Sequence, residues 1–342
     1  MTPATEELIR EGARNAVRVC MGVRAGDRVF VIADEKRVAI GEALRQEALA
    51  VTPTVTMRLL EEYGRRPLTS FPEALRSDLQ RARPTVTFFA ATAQPGELGL
   101  RMPLREFLVH DLRVRHGHMP GVDERLMVQG MRADYRHVEA VTRRVYERAR
   151  KATTCRVTNP LGTDITATFS PRLRWVPCTG IYWEQGQWGN LPEGETFTSP
   201  ERLEGVIVAE VLGDYFSEKY GVLATPVTFV VRDSWVVEVR CADASIAKEV
   251  LAYLDSADNG RRAGEFAIGT NVALTGLTGN LLQDEKLPGV HVAFGNPYPT
   301  ETGADWTSKV HVDVIPTRCT IALDGEPIMT DGRFLPALLT EP

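Results

Sequence analysis

The periodicity of the chain changes once, and that change limits the folds open to it. Over roughly the first 120 residues, helical spacing alternates with short apolar runs. Thr5 to Val23 places Leu8, Ala13, Val17 and Cys20 near one face, as an amphipathic helix requires. Gly26-Asp27 marks a turn into the apolar run RVFVIAD, and a helical stretch follows from Arg37 to Leu49. Two more strand-like runs come next, TPTVTMRLL and TVTFFAAT. Strands alternating with helices predict βαβ units, hence an α/β domain with a Rossmann-like, mostly parallel sheet. After a helical stretch from Ala133 to Lys151 the pattern shortens. TTCRV, TDITATF, VTFVV, SWVVEV, VHVDVI and CTIAL are β segments separated by turn residues such as Asn159-Pro160, Arg232-Asp233-Ser234 and Asp324-Gly325. One clear helix interrupts them, Ala244 to Ala257. The expected organisation is therefore an α/β domain over 1–132, a linker helix over 133–152 and an α+β domain with an antiparallel sheet over 153–342. A chain of 342 residues can bury a core in each.

Several function classes receive no support. No G-x-G-x-x-G follows the strand-like runs, and no G-x-S-x-G, H-E-x-x-H or P-loop occurs. A net charge of −5 supplies no basic footprint for nucleic acid or anionic lipid. No apolar run reaches the ~18–20 residues of a membrane span. The first residues, MTPATEELIREGARNAVRVC, carry acids and arginines where a signal peptide needs an apolar core, so a cytoplasmic location is expected. Five scattered cysteines form no C-x-x-C pair and read as buried thiols in a reducing compartment.

The run SKVHVDVI breaks its apolar pattern twice. Side chains alternate along a strand, so His311 and Asp313 project to one side while Val310, Val312 and Val314 project to the other. Two readings stand: a face turned to water, or two ligands of a metal ion. Three polar clusters upstream bear on the choice: NLPEGETF, GEFAIGTN and HVAFGNPYP, which contribute Glu195, Glu265, His291 and Tyr298. One Asp, two Glu and two His suit zinc, cobalt or manganese, whereas calcium prefers oxygen alone. The same count suffices for two ions sharing a carboxylate or water. Each residue also has a plainer reading. Glu195 sits among turn residues, Glu265 at a strand end, His291 in a core, and Tyr298 between two prolines. Arg115-His116-Gly117-His118 is an H-x-H as well, but its basic and glycine neighbours favour a structural turn, and His110 and His137 read as surface residues on helices.

Taken in order, NLPEGETFTSPE, GEFAIGTN, LLQDEKLPGVHVAFGNPYP and SKVHVDVI resemble the C-terminal motifs of the M29 metallopeptidases, the thermophilic aminopeptidase T family. The likeness runs from Trp188 to Leu323; the N-terminal half shares only the loose α/β pattern. Position by position, the resemblance implies metal ligation by Glu195 (Glu193 being the weaker choice), Glu265, His291, Tyr298, His311 and Asp313. It implies two divalent ions (zinc, cobalt or manganese) in the antiparallel domain, a peptide substrate cut at its N-terminus through a metal-bridged hydroxide, and a homodimer. Glu195 or Glu265 would move the proton, and Tyr298 would assist as ligand or hydrogen-bond donor. This chain is shorter than typical members, and Tyr298 and His311 stand closer together, which bears on substrate choice. Iron-dependent ring-cleaving dioxygenases acting on dihydroxypyridine share this fold family. They carry a histidine where this chain has Glu265 and lack one at His291, so both residues side with the peptidase pattern. The remaining alternative is a metal-binding homologue without catalysis.

Overall fold

The computed structural model describes residues 2–340. They form two compact units, 2–136 with 180–193, and 137–179 with 194–340. The first is built on a five-stranded parallel sheet in the order Val55–Leu59, Val29–Ala33, Val86–Ala90, Arg115–His118, Trp188–Asn190. Val29–Ala33 and Val86–Ala90 are buried at every position, which is why they read as unbroken apolar runs rather than alternating ones. The expected helix at Thr5 to Val23 is an α-helix, Pro3–Arg14, that widens into a π-helical turn over Asn15–Cys20.

Two features of this unit differ from expectation or add to it. The H-x-H tripeptide is not a turn. His116 and His118 lie buried on the strand Arg115–His118, with Thr87 Oγ1 2.8 Å from His116 Nδ1 and His116 Nε2 3.1 Å from His118 Nδ1. Burial, aided by the nearby Arg105 charge, pushes His116 down to about 3, so the pair is neutral packing. The second feature is a buried charge cluster. Asp34 follows the strand Val29–Ala33 and Thr92 follows its neighbour Val86–Ala90. Arg66 joins them: it donates to Asp34, to Thr92 O at 2.8 Å and to Glu97 Oε1 at 2.8 Å.

The second unit holds two antiparallel sheets. The eight-stranded one runs Trp235–Arg240, Val227–Arg232, Arg202–Ala209, Asp164–Thr168, Thr154–Thr158, Thr320–Leu323, Glu326–Thr330, Arg333–Phe334. The six-stranded one runs Val211–Leu212, His311–Ile315, Gly289–Gly295, Ala263–Gly269, Glu195–Thr198, Val176–Cys178. A parallel-sheet α/β region and antiparallel sheets are thus both present. One core joins Ile165, Leu203 and Phe229 of the larger sheet to Phe266, Val292, Val312 and Val314 of the smaller. The helix Tyr135–Ala149 adds Val141, Val145 and Ala149, four apart on one face. Besides the helices Tyr135–Ala149 and Ala244–Leu254, the described residues of this unit form four of only four to six residues: Tyr215–Tyr220, Leu281–Asp284, Pro299–Thr302 and Pro336–Leu339. Such short turns leave no period in a sequence. No helix among the described residues is long and apolar enough to cross a membrane.

Arg66 supplies the positive charge of its cluster, so removing it leaves two buried carboxylates uncompensated. Arg66→Met is expected to cost about 3–5 kcal/mol at neutral pH, measured by urea unfolding. Burial pushes Asp34 up, but hydrogen bonds from Thr92 and the Arg66 charge outweigh it and hold the carboxyl below its ordinary value. Its contribution is complete above an unfolded-state pKa of about 4 and is lost as pH falls through the lower folded value. The gap between wild type and variant should therefore narrow in acid.

Candidate metal centre

The six-stranded sheet turns one face to the core and gathers charge on the other. On Ala263–Gly269, Phe266 and Ile268 point into the core, so Glu265 and Ala267 point away. On Gly289–Gly295, Val290, Val292 and Phe294 are core residues, leaving His291 and Ala293 on the opposite face. On His311–Ile315, Val312 and Val314 are core residues, leaving His311 and Asp313. The alternation expected of SKVHVDVI is what forms here, with Asp313 buried and His311 half-buried.

Register brings these residues into one place. Glu265, Ala293 and Asp313 stand opposite one another across three strands, His291 is opposite Ala267, His311 opposite Gly295, and Glu195 opposite Gly269. Each charged residue thus has alanine or glycine as its cross-strand neighbour, and the longer side chains lean over the small ones. His291 Nε2 lies 3.6 Å from Glu195 Oε2, 3.6 Å from Glu265 Oε1 and 3.9 Å from Asp313 Oδ1. His311 Nε2 lies 3.4 Å from Glu265 Oε2 and 3.5 Å from Asp313 Oδ1. His311 Nδ1 is 2.9 Å from the Asn296 carbonyl oxygen and donates to it, which aims Nε2 at the carboxylates. Tyr298 is more exposed, with its ring 4.8 Å from that of His311 and 5.8 Å from that of Phe197. Glu193 belongs to the first unit, where its carboxylate accepts from the Tyr182 hydroxyl at 3.1 Å.

Two residues that sequence reasoning did not single out complete the cluster. Glu285 and Lys286 follow the short helix Leu281–Asp284, itself capped by Asn280. Lys286 Nζ is 2.6 Å from Glu195 Oε1 and 2.8 Å from Glu285 Oε1. The Asn271 amide donates to Lys286 O at 3.0 Å, and a Cβ on Gly269 would stand 2.1 Å from Leu287 O, so glycine is what lets this segment lie against the sheet. The available signal was the charged triplet Asp284-Glu285-Lys286 in an otherwise strand-like approach to His291.

The donor set fits a divalent ion. Glu265, His311 and Asp313 each offer an atom within 4.8 Å of the others, as do Glu285, His291 and Asp313. Ligands held about 2.1 Å from one ion stand about 3.0–3.4 Å apart, close to the N···O separations seen here. Glu195 Oε2 is buried and accepts no hydrogen bond. Burial alone would lower the two histidines, but Glu265, Glu195 and Asp313 around His291 raise it to about 9, and Asp313 with Glu265 raises His311 to about 10. The pocket therefore draws positive charge. Ala293 lies between Glu265 and Asp313, so Ala293→Leu should fill the space they share. A chelator-competition titration is expected to give a divalent-ion affinity about tenfold lower or worse, with circular dichroism unchanged.

Comparison with known proteins agrees with this chemistry. A family model described as thermophilic metalloprotease (M29) matches residues 126–334. Wild-type AmpT from Thermus thermophilus has a similar structure, with a TM-score of 0.67 at 20% identity over 96% of this chain and 99% of that one. So does 2,5-dihydroxypyridine dioxygenase from Pseudomonas putida KT2440, at 0.70 and 16% over 99% and 100%. At those identities the two structures speak for the fold. No curated protein matches the chain. Because the family model spans more than half of its length, the chain belongs to the thermophilic metalloprotease (M29) family.

Proposed function

We propose that the chain is a metal-dependent aminopeptidase. The observation that carries this reading is the convergence of Glu195, Glu265, His291, His311 and Asp313 on one small-residue face of a buried sheet. A bound divalent ion supplies Lewis acidity, polarising a carbonyl and bringing the pKa of water toward neutrality. Imidazole donors favour zinc, cobalt or manganese. His291 and His311 offer Nε2, and Glu265 and Asp313 offer carboxylate oxygens. Glu195 Oε2, with no hydrogen bond of its own, is assigned the proton of the attacking water and its delivery to the leaving amine. Tyr298, beside His311 and partly exposed, donates its hydroxyl hydrogen to the substrate carbonyl oxygen as that oxygen gains charge. The family resemblance implies two ions, and the two ligand groups overlap at Asp313. A homodimer and a cytoplasmic location belong to the same reading and rest on the sequence argument.

A second reading, a non-haem iron dioxygenase, is favoured by the full-length likeness of fold to the dihydroxypyridine enzyme. It is weakened by the donors: each ligand group has one histidine and two carboxylates, whereas non-haem iron oxygenases use two histidines and one carboxylate.

One assay separates the readings. Metal-stripped protein, supplied in turn with cobalt, zinc, manganese or ferrous iron, is expected to hydrolyse aminoacyl-p-nitroanilides with one of the first three and to leave N-blocked analogues intact. Oxygen consumption with iron and 2,5-dihydroxypyridine would overturn the peptidase. Bound metal with neither activity would point to the non-catalytic homologue. His311→Ala is expected to lose most metal uptake, by equilibrium dialysis, while urea unfolding of the first unit is unchanged.

A further inference from the structure

Among the described residues, Lys286 is the lysine whose ammonium enters the carboxylate cluster, and its side chain is 1% exposed. A lysine so fully buried needs anionic partners, and these include Glu195 Oε1 at 2.6 Å and Glu285 Oε1 at 2.8 Å, within ion-pair distance. The two candidate ligand groups are therefore unequal. In one group His311 Nε2 stands 3.4 Å from Glu265 and 3.5 Å from Asp313, whereas Glu285, in the group with His291 and Asp313, has its carboxylate 2.8 Å from Lys286 Nζ. Glu195, a member of neither group, gives Lys286 one oxygen and keeps Oε2 3.6 Å from His291.

We infer that Lys286 stands in the place of a second metal ion, so that this chain holds a single divalent ion in the Glu265–His311–Asp313 group. The inference rests on the metalloenzyme reading and corrects its ion count. Charge supports it. Even with all four carboxylates ionised, Glu195, Glu265, Glu285 and Asp313 set against one ammonium and one divalent ion leave at most a single negative charge. A second divalent ion would turn a buried pocket positive and bring a dication beside the ammonium, where low dielectric leaves the repulsion poorly screened. Position supports it as well. The Lys286 backbone is held by the Asn271 amide and by the close pass over Gly269, so the side chain enters the cluster as a built part of the fold. Glu285 then acts as the counter-ion of Lys286, and His291 remains a neighbour of Glu195 and Glu265 at 3.6 Å rather than the anchor of a separate ion.

The test is a metal count on the full chain. Stripped protein is equilibrated with Zn(II) or Mn(II), freed of excess by gel filtration and measured by plasma mass spectrometry; the Mn(II) form is also examined by electron paramagnetic resonance. Wild type is expected to hold one ion per chain and to give the signal of an isolated Mn(II). Lys286→Gln removes the charge and should admit a second ion with a coupled two-manganese signal, while Lys286→Arg should stay at one. Two ions in wild type, with a coupled signal, overturn the inference and leave the metalloenzyme reading standing. A folded Lys286→Gln that stays at one ion also overturns it. No bound ion in wild type sinks the metalloenzyme reading itself. Should Lys286→Gln fail to fold, the wild-type count and spectrum decide alone.

Discussion

Glu195, Glu265 and Asp313 are almost excluded from solvent and lie on one face of one sheet, with Glu285 beside them. Carboxylates packed in this way repel one another and have lost their hydration, so the fold stands only if cations are placed among them. That requirement explains the rest of the site. It explains why two imidazoles rise far above their ordinary value, and why a lysine is carried into the interior on the segment after Leu281–Asp284. It also explains why alanines and glycines separate the charged residues across the strands, since bulk there would leave no room for a cation.

The core-facing half of that sheet carries the opposite demand. Phe266, Ile268, Val292, Phe294, Val312 and Val314 lock its strands to the larger sheet, which fixes the register that brings distant residues together. A slip of one residue would send His311 and Asp313 into the hydrocarbon core and Val312 outward. The hydrophobic pattern and the charged pattern are therefore the same pattern seen from its two sides.

Much of this was legible from residues alone. His311 and Asp313 could be placed on one face from strand alternation, and the parallel sheet could be expected from fully apolar runs such as RVFVIAD between helical stretches. Glu195, Glu265 and His291 became candidates because each interrupts an apolar or glycine-rich stretch. Lys286 and Glu285 escaped because they follow a four-residue helix, too short to set a period, and because lysine is expected on surfaces. The H-x-H was misjudged for a related reason: glycine and arginine around it suggested a loop, whereas Gly117 packs tightly in a central strand and Arg115 is buried, paired with Asp27 at 2.6 Å.

The cluster around Arg66 has a consequence for the first unit. In open parallel sheets the crevice beyond the carboxyl ends, where neighbouring strands send their connections to opposite sides, is where ligands usually enter. Here that position lies between Val29–Ala33 and Val86–Ala90, and Asp34, Thr92 and Glu97 hold a guanidinium there. The crevice of this parallel sheet is filled from inside by an arginine, so it presents a buried ion cluster where an open sheet of this order would leave room for a ligand.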